Sequence, residues 1–198
     1  MLRCVIFDLD NTLVDSPLDF SAIKAEIGAD APILEHRETV GPEEQRRIDD
    51  ILDRHETIAA ANSDLFDGAV ELLAFLEKHG VGAALLTRNS RKSVNTILKR
   101  HGLRFDCVVS REDAAPKPSP EPVFLICEKL GVSPSDTLVV GDFLFDIQSG
   151  QAAGALTLLM HGPHRHRFEA RADYEAASLA EALQIIRDKL VGKEESDP

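Results

Sequence analysis

The chain has 198 residues, room for one domain with a sizeable core or one domain plus a small insert, and its 43% hydrophobic and 28% charged residues are the balance of a folded globular protein. A formal net charge of −12, from 34 acidic against 22 basic residues, with no Trp and one Tyr, excludes a binder of phosphate backbones and a base-stacking platform, so nucleic acid is not expected as a partner. Three widely spaced cysteines in apolar settings read as core residues of a reducing compartment; with no signal-peptide pattern and no apolar run near the ~18 residues of a membrane span, a cytoplasmic location without a membrane partner is expected.

Along the chain, apolar runs of strand length at 2–7, 83–86, 107–109, 137–140 and 155–159 alternate with segments of helical period. The helical stripes are Val70, Leu73, Leu76; Val94, Ile97, Leu98; Val123, Phe124, Cys127, Leu130; a short one over 147–153; and Leu179, Leu183, Ile186, Leu190. Strand then helix, five times over, predicts an α/β fold with a doubly wound, Rossmann-like parallel sheet. One connection breaks the rhythm. Some fifty residues between Asp15 and Asp67 carry no strand signal, too many for a simple loop. Phe20, Ile23, Ile27 suggest one short helix there, and Pro42 followed by Ile48, Ile51, Leu52, His55 and Ile58 a longer one started by proline in its first turn. The organisation expected is a core of residues 1–14 and 67–198 with a helical cap, 15–66, inserted after the first strand. The acidic, polar end at 192–198 is expected to fray.

The first strand ends in Asp8-Leu-Asp10-Asn-Thr12, the second in Thr87-Arg88-Asn89-Ser90; Lys117 stands among prolines after the third; the fourth ends Gly141-Asp142-Phe-Leu-Phe-Asp146. Singly, each has an ordinary reading as a turn, a helix cap or a solvated loop. Together they converge on the carboxyl edge of one parallel sheet, where ligands bind in such folds. Carboxylates gathered there repel one another and raise each other's pKa unless a cation relieves them. A hard divalent ion with oxygen ligands, magnesium above others, suits that donor set, with Lys117 as a point charge for phosphate or for a nucleophilic carboxylate.

In order, Asp8-Leu-Asp10-Asn-Thr12-Leu, Thr87, Lys117-Pro118 and Gly141-Asp142-Phe-Leu-Phe-Asp146 resemble the four motifs of the haloacid dehalogenase superfamily, with the phosphoglycolate phosphatase-like branch as the nearest likeness. The resemblance implies a magnesium-dependent phosphomonoester hydrolase acting on a small phosphorylated metabolite through an aspartyl-phosphate. It implies that Asp8 is the nucleophile and Asp10 the acid and base, that Thr87 binds the phosphoryl group, and that Lys117 offsets charge. Asp8, the carbonyl of Asp10, Asp142 and, directly or through water, Asp146 would hold the metal. Arg88 and Asn89 are taken as substrate-binding; Arg37, Arg46, Arg47 and Arg54 in the insert are further candidates for reading an anionic group. A phosphomutase of the same superfamily and a non-catalytic binder of phosphometabolites or a partner are the alternatives, and monomer and homodimer both stay open. Two features depart from the branch: the cap is short, and Phe143 stands where a small residue is common. His161 to Arg167 is read as a basic surface loop bordering the site rather than a zinc site.

Overall fold

A computed structural model describes residues 1–161 and 172–191. Its main sheet has six parallel strands in the order β5-β4-β1-β6-β7-β8, formed by β1 (Cys4–Phe7), β4 (Gly82–Leu86), β5 (Cys107–Val109), β6 (Thr137–Gly141), β7 (Leu156–Met160) and β8 (Tyr174–Ala176). Strand β1 is central, pairing on one side with β4 and on the other with β6. All four of its residues are buried because both faces are covered, which is why it reads as a continuous apolar run rather than an alternating one. The side chains still alternate in direction. Val5 and Phe7 join the core under α4 (Ala69–Lys78) and α8 (Leu179–Val191), while Cys4 and Ile6 join the core under α6 (Glu121–Leu130). Helix α5 (Arg91–His101) adds Val94 and Ile97 to the first core, and α7 (Leu144–Ala153) adds Ala153 to the second. The three cysteines are buried and unpaired in the second core, as expected of small core residues.

The chain runs outward from β1 to β4 and β5, then crosses back to β6 on the other side. The reversal opens a crevice at the carboxyl end of β1, between the ends of β4 and β6. Asp8 leaves the strand with its amide still bonded to Val140 O at 2.9 Å, so the residue is fixed by the ladder rather than left on a free loop. Asn11 follows at φ 58°, a left-handed turn that Asn tolerates.

Between β1 and α4 lie helices α1 (Phe20–Ile27), α2 (Ile33–Arg37) and α3 (Pro42–Asn62). The Asp19 side chain caps α1, accepting from Ser21 N and Ala22 N, and Pro42 opens α3 where a missing N–H costs nothing. These helices share a small core of their own, Ile23, Ile27, Ile33, Ile48, Ile51 and Leu52. The far half of α3 lies along α5, tied there by Glu56. This buried carboxylate accepts from Ser90 N at 3.0 Å and pairs with the Arg111 guanidinium.

Several features differ from the sequence reading. A two-residue antiparallel ribbon, β2 (Val14–Asp15) with β3 (Asp64–Leu65), closes the base of the insert where no strand was expected, because two residues are too few to show a period. Helix α2 and edge strand β8 were missed for the same reason. Val70, Phe124 and Ile58, read as parts of apolar stripes, are exposed. The expected frayed end, 192–198, and all of the His161 to Arg167 loop beyond His161 lie outside the described residues. No described helix is long and apolar enough to cross a membrane.

Candidate active site

Four strand ends deliver the charged residues to one place. Lys117 is buried, and its Nζ donates to Asp8 Oδ1 at 2.5 Å, Asp146 Oδ1 at 2.5 Å and Leu86 O at 3.0 Å. An ammonium has three protons, and each has a partner here. Asp146, on the first turn of α7, uses its other oxygen to accept from Phe143 N at 3.0 Å. The glycine before Asp142 makes room for this: a Cβ on Gly141 would lie 2.2 Å from Asp146 Cγ, well inside contact distance.

Carboxylate oxygens of Asp8, Asp142 and Asp146 lie within 4.8 Å of one another. An all-oxygen set of three acids fits a hard divalent cation such as magnesium. The electrostatics agree. Burial pushes the Asp8 carboxyl well above its ordinary value, and Asp146, Asp142 and Asp10 push it further against the pull of Lys117. Burial, then Asp146, pushes Asp142 up to about 7. Against its own burial, the two carboxylates raise Lys117 further above its ordinary value, so it stays charged. Because both Asp146 oxygens already accept hydrogen bonds, Asp146 is better placed to brace the cluster than to surrender an oxygen.

Asp10 stands beside this cluster rather than in it. Its Oδ2 accepts from Asn89 Nδ2 at 2.6 Å, while Oδ1 is buried with no hydrogen-bond partner among the described residues. Burial raises the Asp10 pKa, opposed first by the nearby Ser16 hydroxyl and then by Asn89. A carboxyl so placed holds its proton to a higher pH than an exposed aspartate and has one oxygen to offer. Thr12 Oγ1 on the same loop is likewise buried, with no partner among the described residues. Thr87 is buried, its hydroxyl accepting from Asn89 N at 3.2 Å. Asn89, taken as substrate-binding from the sequence, donates its side-chain amide to Asp10 and its backbone amide to the Thr87 hydroxyl.

Arg88 points to the rim. It grips both oxygens of Glu35 on α2, at 2.9 and 2.6 Å, donates to Lys117 O, and lies 4.9 Å from the centroid of the Phe145 ring. Phe143 meets Phe145 edge-on at 5.1 Å, giving the residue that departs from the family pattern a place in this wall. The arginines proposed in the insert do not reach the site: Arg37 binds Asp49, Arg47 binds Glu44 and Ile27 O, Arg54 binds Glu26, and Arg46 folds back on Pro42 O. Glu35, Glu56, Arg111 and Phe145 were missed in the sequence, where helical glutamates read as solvated faces.

A family model described as haloacid dehalogenase-like hydrolase matches residues 2–154. The chain is 32% identical to the N-acetylmuramic acid 6-phosphate phosphatase of Pseudomonas aeruginosa, over 96% of this chain and 95% of that protein. It is 30% identical to the phosphoglycolate phosphatase of Thiobacillus denitrificans, over 93% and 96%. Among solved structures, a hydrolase from Pseudomonas syringae superposes with a TM-score of 0.79 at 22% identity, over 93% of this chain and 98% of that one.

Proposed function

The chain belongs to the haloacid dehalogenase-like hydrolases, and from that premise we propose that it is a magnesium-dependent phosphatase of a small phosphorylated metabolite, with the helices between residues 15 and 66 as its cap. The observation that carries the reading is the Lys117 ammonium shared between Asp8 and Asp146, with Asp142 alongside and the half-free carboxyl of Asp10 at the edge.

Asp8 attacks phosphorus through a carboxylate oxygen. As the bond from phosphorus to the ester oxygen breaks, the departing oxygen takes the proton of Asp10, leaving an alcohol and an aspartyl-phosphate on Asp8. Water then attacks the same phosphorus and gives a proton to Asp10; the bond to Asp8 breaks, inorganic phosphate leaves, and both acids return to their starting state. Asn89 donates to one oxygen of Asp10 and leaves the other to carry the proton. Lys117 pulls the raised pKa of Asp8 back down and, with the Thr87 hydroxyl, steadies the phosphoryl oxygens. Asp8, Asp142 and the carbonyl of Asp10 would hold magnesium, with Asp146 bracing them. A bound magnesium would neutralise phosphoryl charge that this acidic edge otherwise repels.

The test is phosphate release from a panel of monoesters with and without magnesium: an aryl phosphate, phosphoglycolate and N-acetylmuramic acid 6-phosphate, alongside Asp8→Asn. Magnesium-dependent release that disappears in the variant is expected. No release from any ester by folded protein overturns the phosphatase and leaves a binding role.

A further inference from the structure

The guanidinium of Arg88 is fixed on two sides, by Lys117 O and by the face of Phe145, and its remaining fork is filled by the carboxylate of Glu35. The anchors adjoin residues of the acidic cluster, Lys117 itself and, on the first turn of α7, Phe145 next to Asp146, so the fork lies at the rim of that cluster. The occupant comes from α2, a five-residue helix, and the pair is wet, with side chains 22% and 38% exposed. Exchanging such a partner for another carboxylate costs little, since one charge-assisted pair replaces another of the same geometry. The other arginines of the insert are committed to partners elsewhere, and Arg111 is locked to Glu56. Lys117 is occupied by Asp8 and Asp146.

We propose that Glu35 is a stand-in for the substrate: the substrate carries a carboxylate besides its phosphate, and that carboxylate displaces Glu35 from the Arg88 fork. This rests on the phosphatase reading for the identity of the site and adds its substrate class, phosphate esters of hydroxy acids. Esters of plain alcohols leave Glu35 in place and gain nothing from Arg88. Arg88 and Glu35 then set specificity together, one by attraction and one by competition.

The test needs no turnover. Phosphonoacetate carries a phosphonate and a carboxylate; methylphosphonate lacks the carboxylate. Their dissociation constants are measured by titration, in magnesium, for the wild type, R88Q, E35Q and the double variant. The wild type is expected to prefer phosphonoacetate. R88Q should weaken phosphonoacetate several-fold more than methylphosphonate, the scale of a partly exposed charged pair, and E35Q should tighten phosphonoacetate several-fold. The double variant separates attraction from repulsion. If Arg88 holds the carboxylate, the selective loss persists with Glu35 neutralised; if Glu35 merely repels anions, the double variant recovers wild-type preference and the inference fails. Equal effects on both phosphonates, or no binding of either, also overturn it. Failure of the phosphatase reading appears separately, as absence of phosphate release whatever the phosphonates do.

Discussion

Two ion-pair systems meet at this crevice, and they differ in how much water they see. At the floor, Lys117 lies between Asp8 and Asp146 with side chains only 4%, 14% and 2% exposed. At the rim, Arg88 and Glu35 remain partly in water. Dry charges are held only where every proton and lone pair is matched, so the floor is expensive to build and hard to alter, whereas a wet pair is worth little and trades partners readily. The floor suits chemistry that must occur in one geometry. The rim suits a choice among ligands.

The largest effects should come from the floor. Lys117→Met removes the ammonium that Asp8 and Asp146 share, and a rate loss of about 1,000-fold or more is expected for phosphate release. A rate within tenfold of wild type would show that the floor is not the reacting centre. Gly141→Ala touches no reacting atom, yet its Cβ would displace the Asp146 side chain from its place beneath Lys117. Roughly a hundredfold loss is expected from such a shift, with weaker magnesium activation. Gly41→Ala in the insert, where a Cβ meets nothing within 4 Å, is the matched control and should leave the rate unaltered. The third effect is on stability. Glu56→Gln leaves the Arg111 guanidinium without its buried counter-charge, and about 3 kcal/mol of unfolding free energy should be lost in urea titration.

The floor was legible in the sequence because each of its residues sits next to a strong local signal. Asp8 and Asp10 follow a buried strand, and Asp142 follows another. Lys117 is set among prolines, and β1, β5 and β6 announce themselves as apolar runs. The rim was not legible, because its contacts are distant in the chain and its elements are short. Glu35 lies 53 residues from Arg88, on a helix too brief to show a period, and Glu56 lies 55 residues from Arg111 on a helix whose other glutamates face water. The group that excludes a Cβ at Gly141, the side chain of Asp146, is visible only in the fold. Asn89 likewise holds Asp10 in place.

A pH series separates the two systems more gently. Burial raises the Asp10 pKa, so the proton it donates is present at low pH and is lost as pH rises through that raised value; above it the rate should fall about tenfold per unit. In Asp10→Asn that alkaline limb should vanish along with most of the rate. At the other end, Asp142, pushed up to about 7 before a cation binds, must lose its proton to ligate. The magnesium needed for half-maximal rate should therefore rise as pH falls below about 7. The rim should not respond over this range, since Arg88 overcomes partial burial to hold Glu35 below the usual carboxylate value. A preference for phosphonoacetate that tracked the rate profile would mean the rim and floor titrate as one unit.

The smallest effect is the most telling about the rim. Glu35→Gln removes half of a wet ion pair, so unfolding free energy should change by no more than about 1 kcal/mol. Both Glu35 and Glu56 are carboxylates on the insert that reach across to arginines following strand ends of the core, and both variants delete a single charge. If contact with the core were what mattered, the two substitutions would cost alike. The difference in burial predicts instead that Glu56 fastens α3 to the core, while Glu35 contributes little to holding α2 down and is free to yield its seat. A loss for Glu35→Gln near that of Glu56→Gln, measured in the same urea series, would make the rim pair a structural tie and remove the ground for exchange at Arg88.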